Sequence, residues 1–289
     1  MVGAASLTAL AVLLTHDHSR RSSHTPVVAS TNVYGDIARQ IGGGRLEVTS
    51  ILSDPNADPH LFEPGTSNGL AVARARLVIE NGLGYDSFMS RLEAAAPSRN
   101  RVVVVIAKAL GISGKSANPH LWYALPRLGE IASAIALGLE RADPDNANRY
   151  RTGLRRFVAS LGPLKRQIAE IKATDDHEPV AYTEPVPGYL LTAAGLRNLA
   201  PEAFTRAIEN GTEPTPAAVS EMTHLLSARR VRVLLYNNQA VSSITARIRA
   251  AARHANIPVV GVSETLPLGL TFQAWQLRQA RALAQALAR

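Results

Sequence analysis

The chain has 289 residues, 46% apolar and 19% charged, a globular composition that excludes a disordered or fibrous protein, and its length accommodates two lobes of ordinary domain size. The net charge of +8 is spread over scattered arginines, and only 5% of residues are aromatic, so no basic run interleaved with rings points to nucleic acid as a partner. There is no cysteine, which excludes disulfides and thiolate metal sites and leaves imidazole and carboxylate as the only side chains that can hold a transition metal.

Residues 1–25 read as a signal-like N-terminal segment. The apolar run 3–14 is too short to cross a bilayer, which takes about 20 residues, and suits the hydrophobic part of a secretory signal. No Lys or Arg precedes it, and no small-x-small cleavage site follows before His16. His16, Asp17, His18 and His24 then form a loose histidine-bearing tail, expected to be disordered.

Residues 26–144 read as a first α/β lobe. Strands are expected at 27–30, 46–52, 77–80 and 102–106, and helices at 34–41, 67–74 and 87–95. The helix at 34–41 ends at Gly42-Gly43-Gly44. The run Val102-Val103-Val104-Val105-Ile106 is expected to be a strand buried on both faces. This alternation predicts a mostly parallel sheet covered by helices.

Residues 145–174 carry one helical stripe. Tyr150, Leu154, Phe157, Leu161, Leu164, Ile168 and Ile171 recur at steps of three and four, with Gly162-Pro163 predicting a kink. The second lobe, 175–289, repeats the first rhythm. Strands are expected at 179–183, 231–236 and 258–262, and helices at 187–194, 215–227, 242–255 and 271–288. Thr215 is the expected N-cap and Pro216 the first residue of its helix. The fold class is therefore α/β, with two similar lobes, each a mostly parallel sheet flanked by helices, joined by one long helix.

Four segments place His or Glu just after a predicted strand, where ligands gather in open α/β sheets. They are Asp58-Pro59-His60-Leu61-Phe62-Glu63-Pro64, Asn118-Pro119-His120-Leu121-Trp122, Tyr182-Thr183-Glu184-Pro185 and Val262-Ser263-Glu264-Thr265-Leu266-Pro267. Taken singly, a loop histidine needs no partner, and a carboxylate at a strand mouth serves equally as a helix cap. Taken together, two neutral imidazoles and two carboxylates carry a charge that a divalent cation neutralises, so the cluster can be buried at small desolvation cost. Nitrogen and oxygen donors without sulfur suit zinc, manganese or ferrous iron.

These residues carry a family resemblance. The Asp-Pro-His-x-x-Glu-Pro stretch around His60 and the Asn-Pro-His-Leu-Trp stretch around His120 come first. Gly188-Tyr189-Leu190 with Gly195-Leu196 follows, then Tyr236-Asn237-Asn238-Gln239 and Glu264-Thr265-Leu266-Pro267 with Trp275. In this order, from about Val27 onward, the chain resembles the metal-binding solute receptors of ABC importers, the cluster A-I or cluster 9 group. The resemblance implies a metal held between lobes by His60, His120, Glu184 and Glu264, with Zn2+ or Mn2+ as the transported ligand and Fe2+ as a further candidate. It implies a monomeric, extracytoplasmic receptor that delivers its metal to a membrane permease driven by an ATPase, with limited lobe motion. Asn118 departs from the Asp common in relatives, no His- and acid-rich loop follows His60, and no lipid-bearing cysteine is available.

Two other classes remain open on the sequence. One is a surface adhesin of the same fold. The other is a zinc hydrolase, which the absence of a His-Glu-x-x-His pattern and the count of four ligands disfavour.

Overall fold

The computed structural model describes residues 24–114 and 116–289. The signal-like run 3–14 and the tail residues His16, Asp17 and His18 lie outside these. The first lobe runs β1 (Thr25–Thr31), α1 (Asn32–Gly42), β2 (Leu46–Leu52), α2 (Thr66–Arg74), β3 (Leu77–Glu80), α3 (Phe88–Ala95), β4 (Val102–Val105), α4 (Ile106–Ala109) and α5 (Leu128–Ala142). Two helices follow, α6 (Ala147–Ser160) and α7 (Gly162–Asp175). The second lobe runs β5 (Pro179–Tyr182), α8 (Gly188–Ala193), β6 (Arg197–Asn198), α9 (Glu202–Glu209), α10 (Pro216–Ser227), β7 (Val233–Asn237), α11 (Ser243–His254), β8 (Val259–Val262) and α12 (Phe272–Leu287).

Each lobe holds a four-stranded sheet, ordered β2-β1-β3-β4 in the first and β6-β5-β7-β8 in the second. All pairings are parallel. The two lobes thus repeat one winding, and the carboxyl ends of their strands supply the loops of the cleft.

Local chemistry sets the element boundaries. Thr31 caps α1 by accepting from the Tyr34 N–H, Thr215 caps α10 from Ala218, and Thr271 caps α12 from Ala274. The stripe expected over 145–174 is buried at Tyr150, Phe157, Leu161, Leu164, Ile168 and Ile171. The expected single long helix is corrected to two helical segments, α6 and α7, meeting at Leu161. Pro163 falls in the first turn of α7, where its missing N–H breaks no helical bond.

The expectation for the valine run is corrected as well. β4 is an edge strand, hydrogen-bonded only to β3, and Val103 is 42% exposed. One face of β4 is covered by α5, where a Cβ at Gly138 would lie 2.6 Å from Val104 Cγ2. The all-valine run reflects the preference of β-branched residues for strands, and its other face meets solvent.

The main hydrophobic core runs through both lobes. Tyr123 and Leu128 of the first lobe share it with Leu235, Phe272 and Trp275 of the second. Aromatic contacts cross the boundary, with Tyr123 5.8 Å from Trp275 and Phe157 6.1 Å from Phe272, centroid to centroid. Asn32 closes the lobes by a reciprocal pair with Leu266, its Nδ2 donating to the carbonyl and its Oδ1 accepting from the N–H, each at 2.8 Å. Among the described residues no helix is long and apolar enough to cross a membrane.

Candidate metal centre

The His60 loop leaves β2 and folds into a single 3-10 turn, Pro59–Leu61. Asp58 Oδ1 accepts from the His60 N–H at 2.9 Å, and Pro59 fixes the first backbone angle of the turn. The imidazole therefore points from the first lobe toward the second, with its side chain 19% exposed.

His120 is fully buried. Its ring packs edge-on against Tyr85 at 5.8 Å and Trp122 at 5.5 Å. Asn118 Oδ1 accepts from the His120 backbone N–H at 3.0 Å and from its ring Nδ1 at 2.8 Å. A carboxamide oxygen only accepts, so Nδ1 carries the proton and Nε2 faces the cleft.

The second lobe answers with carboxylates. Glu184 stands just beyond β5 and Glu264 just beyond β8, and both side chains are fully buried. His60 Nε2 lies 2.7 Å from Glu184 Oε1 and 4.0 Å from Glu264 Oε1. His120 Nε2 lies 3.3 Å from Glu264 Oε2. All four residues singled out in the sequence thus meet in one cleft.

Three contributors escaped the sequence reading. Asn237, the last residue of β7, donates through Nδ2 to Glu184 Oε2 at 2.5 Å and to Glu264 Oε1 at 2.8 Å. The Tyr85 hydroxyl donates to Glu264 Oε2 at 3.0 Å. Glu209, the last residue of α9, brings Oε2 to 3.9 Å from His120 Nε2. The Tyr236-Asn237-Asn238-Gln239 stretch drew notice only as part of the resemblance. Glu209 sits at a helix end, where its sequence context gives no strand-end signal.

The electrostatics follow from packing two imidazoles against three carboxylates. Burial opposes charge on His60, but its hydrogen bond to Glu184 and the charges of Glu264, Glu184 and Glu209 outweigh it and push the imidazole up to about 9. Burial likewise opposes charge on His120, and the charges of Glu209, Glu264 and Glu184, with the Glu264 hydrogen bond, raise it. Burial pushes Glu209 up. Burial also acts to raise Glu264, yet its contacts with His120, His60 and Asn237 hold it below the usual carboxylate range. Among the described residues no Lys or Arg forms an ion pair with Glu184, Glu209 or Glu264. One donor atom each from His60, Glu184 and Glu264 fall within 4.8 Å of one another, as do those from His120, Glu184 and Glu209. That spacing allows a single ion to draw on both sets through Glu184, at bond lengths near 2.0–2.2 Å.

Paired parallel sheets with a donor-lined cleft between them define a class of two-lobed binding folds, and solved structures of that class match this one. The periplasmic zinc-binding protein TroA of Treponema pallidum superposes with a TM-score of 0.78 at 17% identity, covering 91% of this chain and 99% of that one. The binding protein FpvC of P. aeruginosa, in complex with Ni2+, gives 0.75 at 20% identity, covering 91% and 96%. In sequence, the manganese ABC transporter substrate-binding lipoprotein scaA of Streptococcus gordonii is 24% identical over 254 residues, covering 82% of this chain and 79% of its own length. The chain belongs to the ZnuA family, described as the periplasmic component A of the zinc-uptake complex, which matches over residues 27–286.

Proposed function

We propose that this protein is an extracytoplasmic receptor that captures a divalent transition metal between its lobes and delivers it to an ABC importer. Zinc and manganese are the cargo this donor set suits, with ferrous iron chemically admissible. The carrying observation is that His60 and His120 from one lobe and Glu184 and Glu264 from the other converge with no Lys or Arg ion-paired to the carboxylates among the described residues. The two buried carboxylates have only the two imidazoles as basic partners, and a dication that displaces the imidazolium protons leaves two neutral imidazoles and a balanced charge.

His60, Glu184 and Glu264 sit on loops that leave β2, β5 and β8, and His120 on the loop after α4, so the ion closes a cleft whose walls already face each other. Asn237 holds Glu184 Oε2 and Glu264 Oε1, leaving Glu184 Oε1 to the ion and Glu264 Oε2 to be shared between the ion and the Tyr85 hydroxyl. The shared core and the Asn32–Leu266 pair support a small rocking of the lobes over a wide hinge. Four protein donors fill a tetrahedral sphere, which favours a receptor over a metallohydrolase needing an open position for water. We assign a monomer acting with a membrane permease and its ATPase.

The test is metal content after chelator-free purification, with melting of the stripped protein against Zn2+, Mn2+ and Fe2+. One equivalent of metal and a rise of several degrees are expected, since a ligand that binds only the folded state stabilises it. No bound metal and no rise with any cation would remove the reading.

A further inference from the structure

Glu209 is not used by the four-donor site, and its position is otherwise unexplained. It closes α9, where the helix dipole disfavours a carboxylate. The arginine one turn back does not offset it, because Arg206 pairs with Glu202. Oε2 of Glu209 is buried and has no hydrogen-bond partner. That atom is aimed into the cleft, 3.9 Å from His120 Nε2, and shares a donor triad with His120 and Glu184. A buried carboxylate oxygen with no hydrogen-bond partner, beside a metal-competent imidazole, is suited to ligate a cation.

We propose that Glu209 is a fifth ligand of the same ion and tunes the site toward manganese(II)-class cations, which take five or six mainly oxygen donors, over tetrahedral zinc(II). This rests on the four-donor reading given above. Tetrahedral bonds of about 2.0–2.1 Å put donors roughly 3.3–3.4 Å apart. His120 Nε2 to Glu264 Oε2, at 3.3 Å, matches that spacing, while His120 Nε2 to Glu209 Oε2, at 3.9 Å, is wider and fits an added donor in a five-coordinate sphere, whose equatorial ligands stand farther apart than tetrahedral ones. A third carboxylate also turns the set to three oxygen ligands and two nitrogens, and harder, oxygen-rich sets suit manganese. The surplus negative charge stays near solvent, since the Glu209 side chain is 16% exposed. Glu209 lines two openings of the cleft, one of about 420 Å³ beside Asn118 and Tyr182, the other of about 610 Å³ beside His60 and Tyr85. It is therefore the donor an entering ion meets from either side.

The experiment compares Mn2+ and Zn2+ dissociation constants of the full chain, by competition with a fluorescent chelator, for wild type, Glu209→Gln, Glu213→Gln and His120→Ala. X-ray absorption of the Mn2+-loaded wild type and Glu209→Gln counts the ligands. Glu209→Gln is expected to weaken Mn2+ at least about tenfold, on the scale of losing a ligand contact, with Zn2+ affected less than about threefold and one oxygen ligand lost. Exposed Glu213→Gln should change neither metal. If Glu209→Gln leaves both the Mn2+/Zn2+ ratio and the ligand count unchanged while His120→Ala abolishes binding, Glu209 is no ligand and the four-donor reading stands. If neither variant alters binding, both readings fall. Two equivalents of metal per wild-type chain would also overturn the single-ion assignment.

Discussion

Asn118 holds His120 at two points, its Oδ1 accepting from both the backbone N–H and the ring Nδ1. The same side chain reaches the other lobe, its Nδ2 donating to the Pro185 carbonyl at 2.6 Å. Asn118 therefore sets the tautomer of a ligand and ties the two walls of the cleft. Asn118→Ala is expected to weaken metal affinity about tenfold to a hundredfold, the usual cost of removing a group that orients a ligand. Asn118→Asp keeps both acceptor bonds but faces the Pro185 carbonyl with an oxygen. It should hold affinity within a few-fold while lowering the melting temperature of the metal-free protein. Chelator competition and calorimetric melting check the pair.

Asn237 separates a different pair of roles. It is the shared donor to Glu184 and Glu264, so Asn237→Asp sets a third carboxylate against the two. Metal-free Asn237→Asp should melt several degrees below wild type, because like charges are then buried together. Bound cation offsets that repulsion, so the rise on adding metal should exceed the wild-type rise. An equal or smaller rise would show that Asn237 is not buffering those charges.

Glu80 is the last residue of β3 and is buried. Burial, the charge and hydrogen bond of Glu93, and the charge of Asp86 push its carboxyl up to about 8. A carboxyl raised on folding contributes stability that is complete below its unfolded value, near about 4.3, and is lost as pH rises through its folded value. Glu80→Gln cannot ionise, so its melting temperature relative to wild type should climb between pH 5 and pH 8.5, by at least about 2 °C. A pH-independent difference would mean that Glu80 does not titrate in this window.

Gly153 fixes how α6 meets α1. A Cβ there would overlap the carbonyl of Ile41, which is backbone and cannot turn aside. Gly153→Ala should cost about 3 kcal/mol or more, the upper range for overpacking a tight contact, read from urea unfolding of the metal-free protein. A loss under 1 kcal/mol would show that the helices separate easily.

Much of the architecture was legible because its signals are local. Caps such as Thr215, the proline in the first turn of α10, and the 3.6-residue stripe through Phe157 and Ile168 each act within one element. Three of the cleft donors could be read because they follow strands whose ends converge in this topology, whereas His120 is separated from β4 by α4 and stood out by its Pro-His-Leu-aromatic order shared with the His60 stretch. Glu209 could not, since only the packing of α9 carries a helix-end carboxylate to His120. Asn237 lies just past the strand expected at 231–236, and its role depends on two carboxylates contributed by other loops. The edge position of β4 was hidden for a related reason: a valine run does not reveal how many neighbours a strand has.

The aromatic contacts of α12 bear on the order in which the chain is made. Phe272 and Trp275 belong to the last helix, yet they complete the packing around Phe157 and Tyr123, which emerge more than a hundred residues earlier. Leu266, also near the end, supplies the partner that satisfies Asn32 near the start. A nascent first lobe therefore holds an unfinished apolar face until α12 has been made. Such a face is prone to aggregate, so the chain has reason to stay extended, or chaperoned, until α12 arrives.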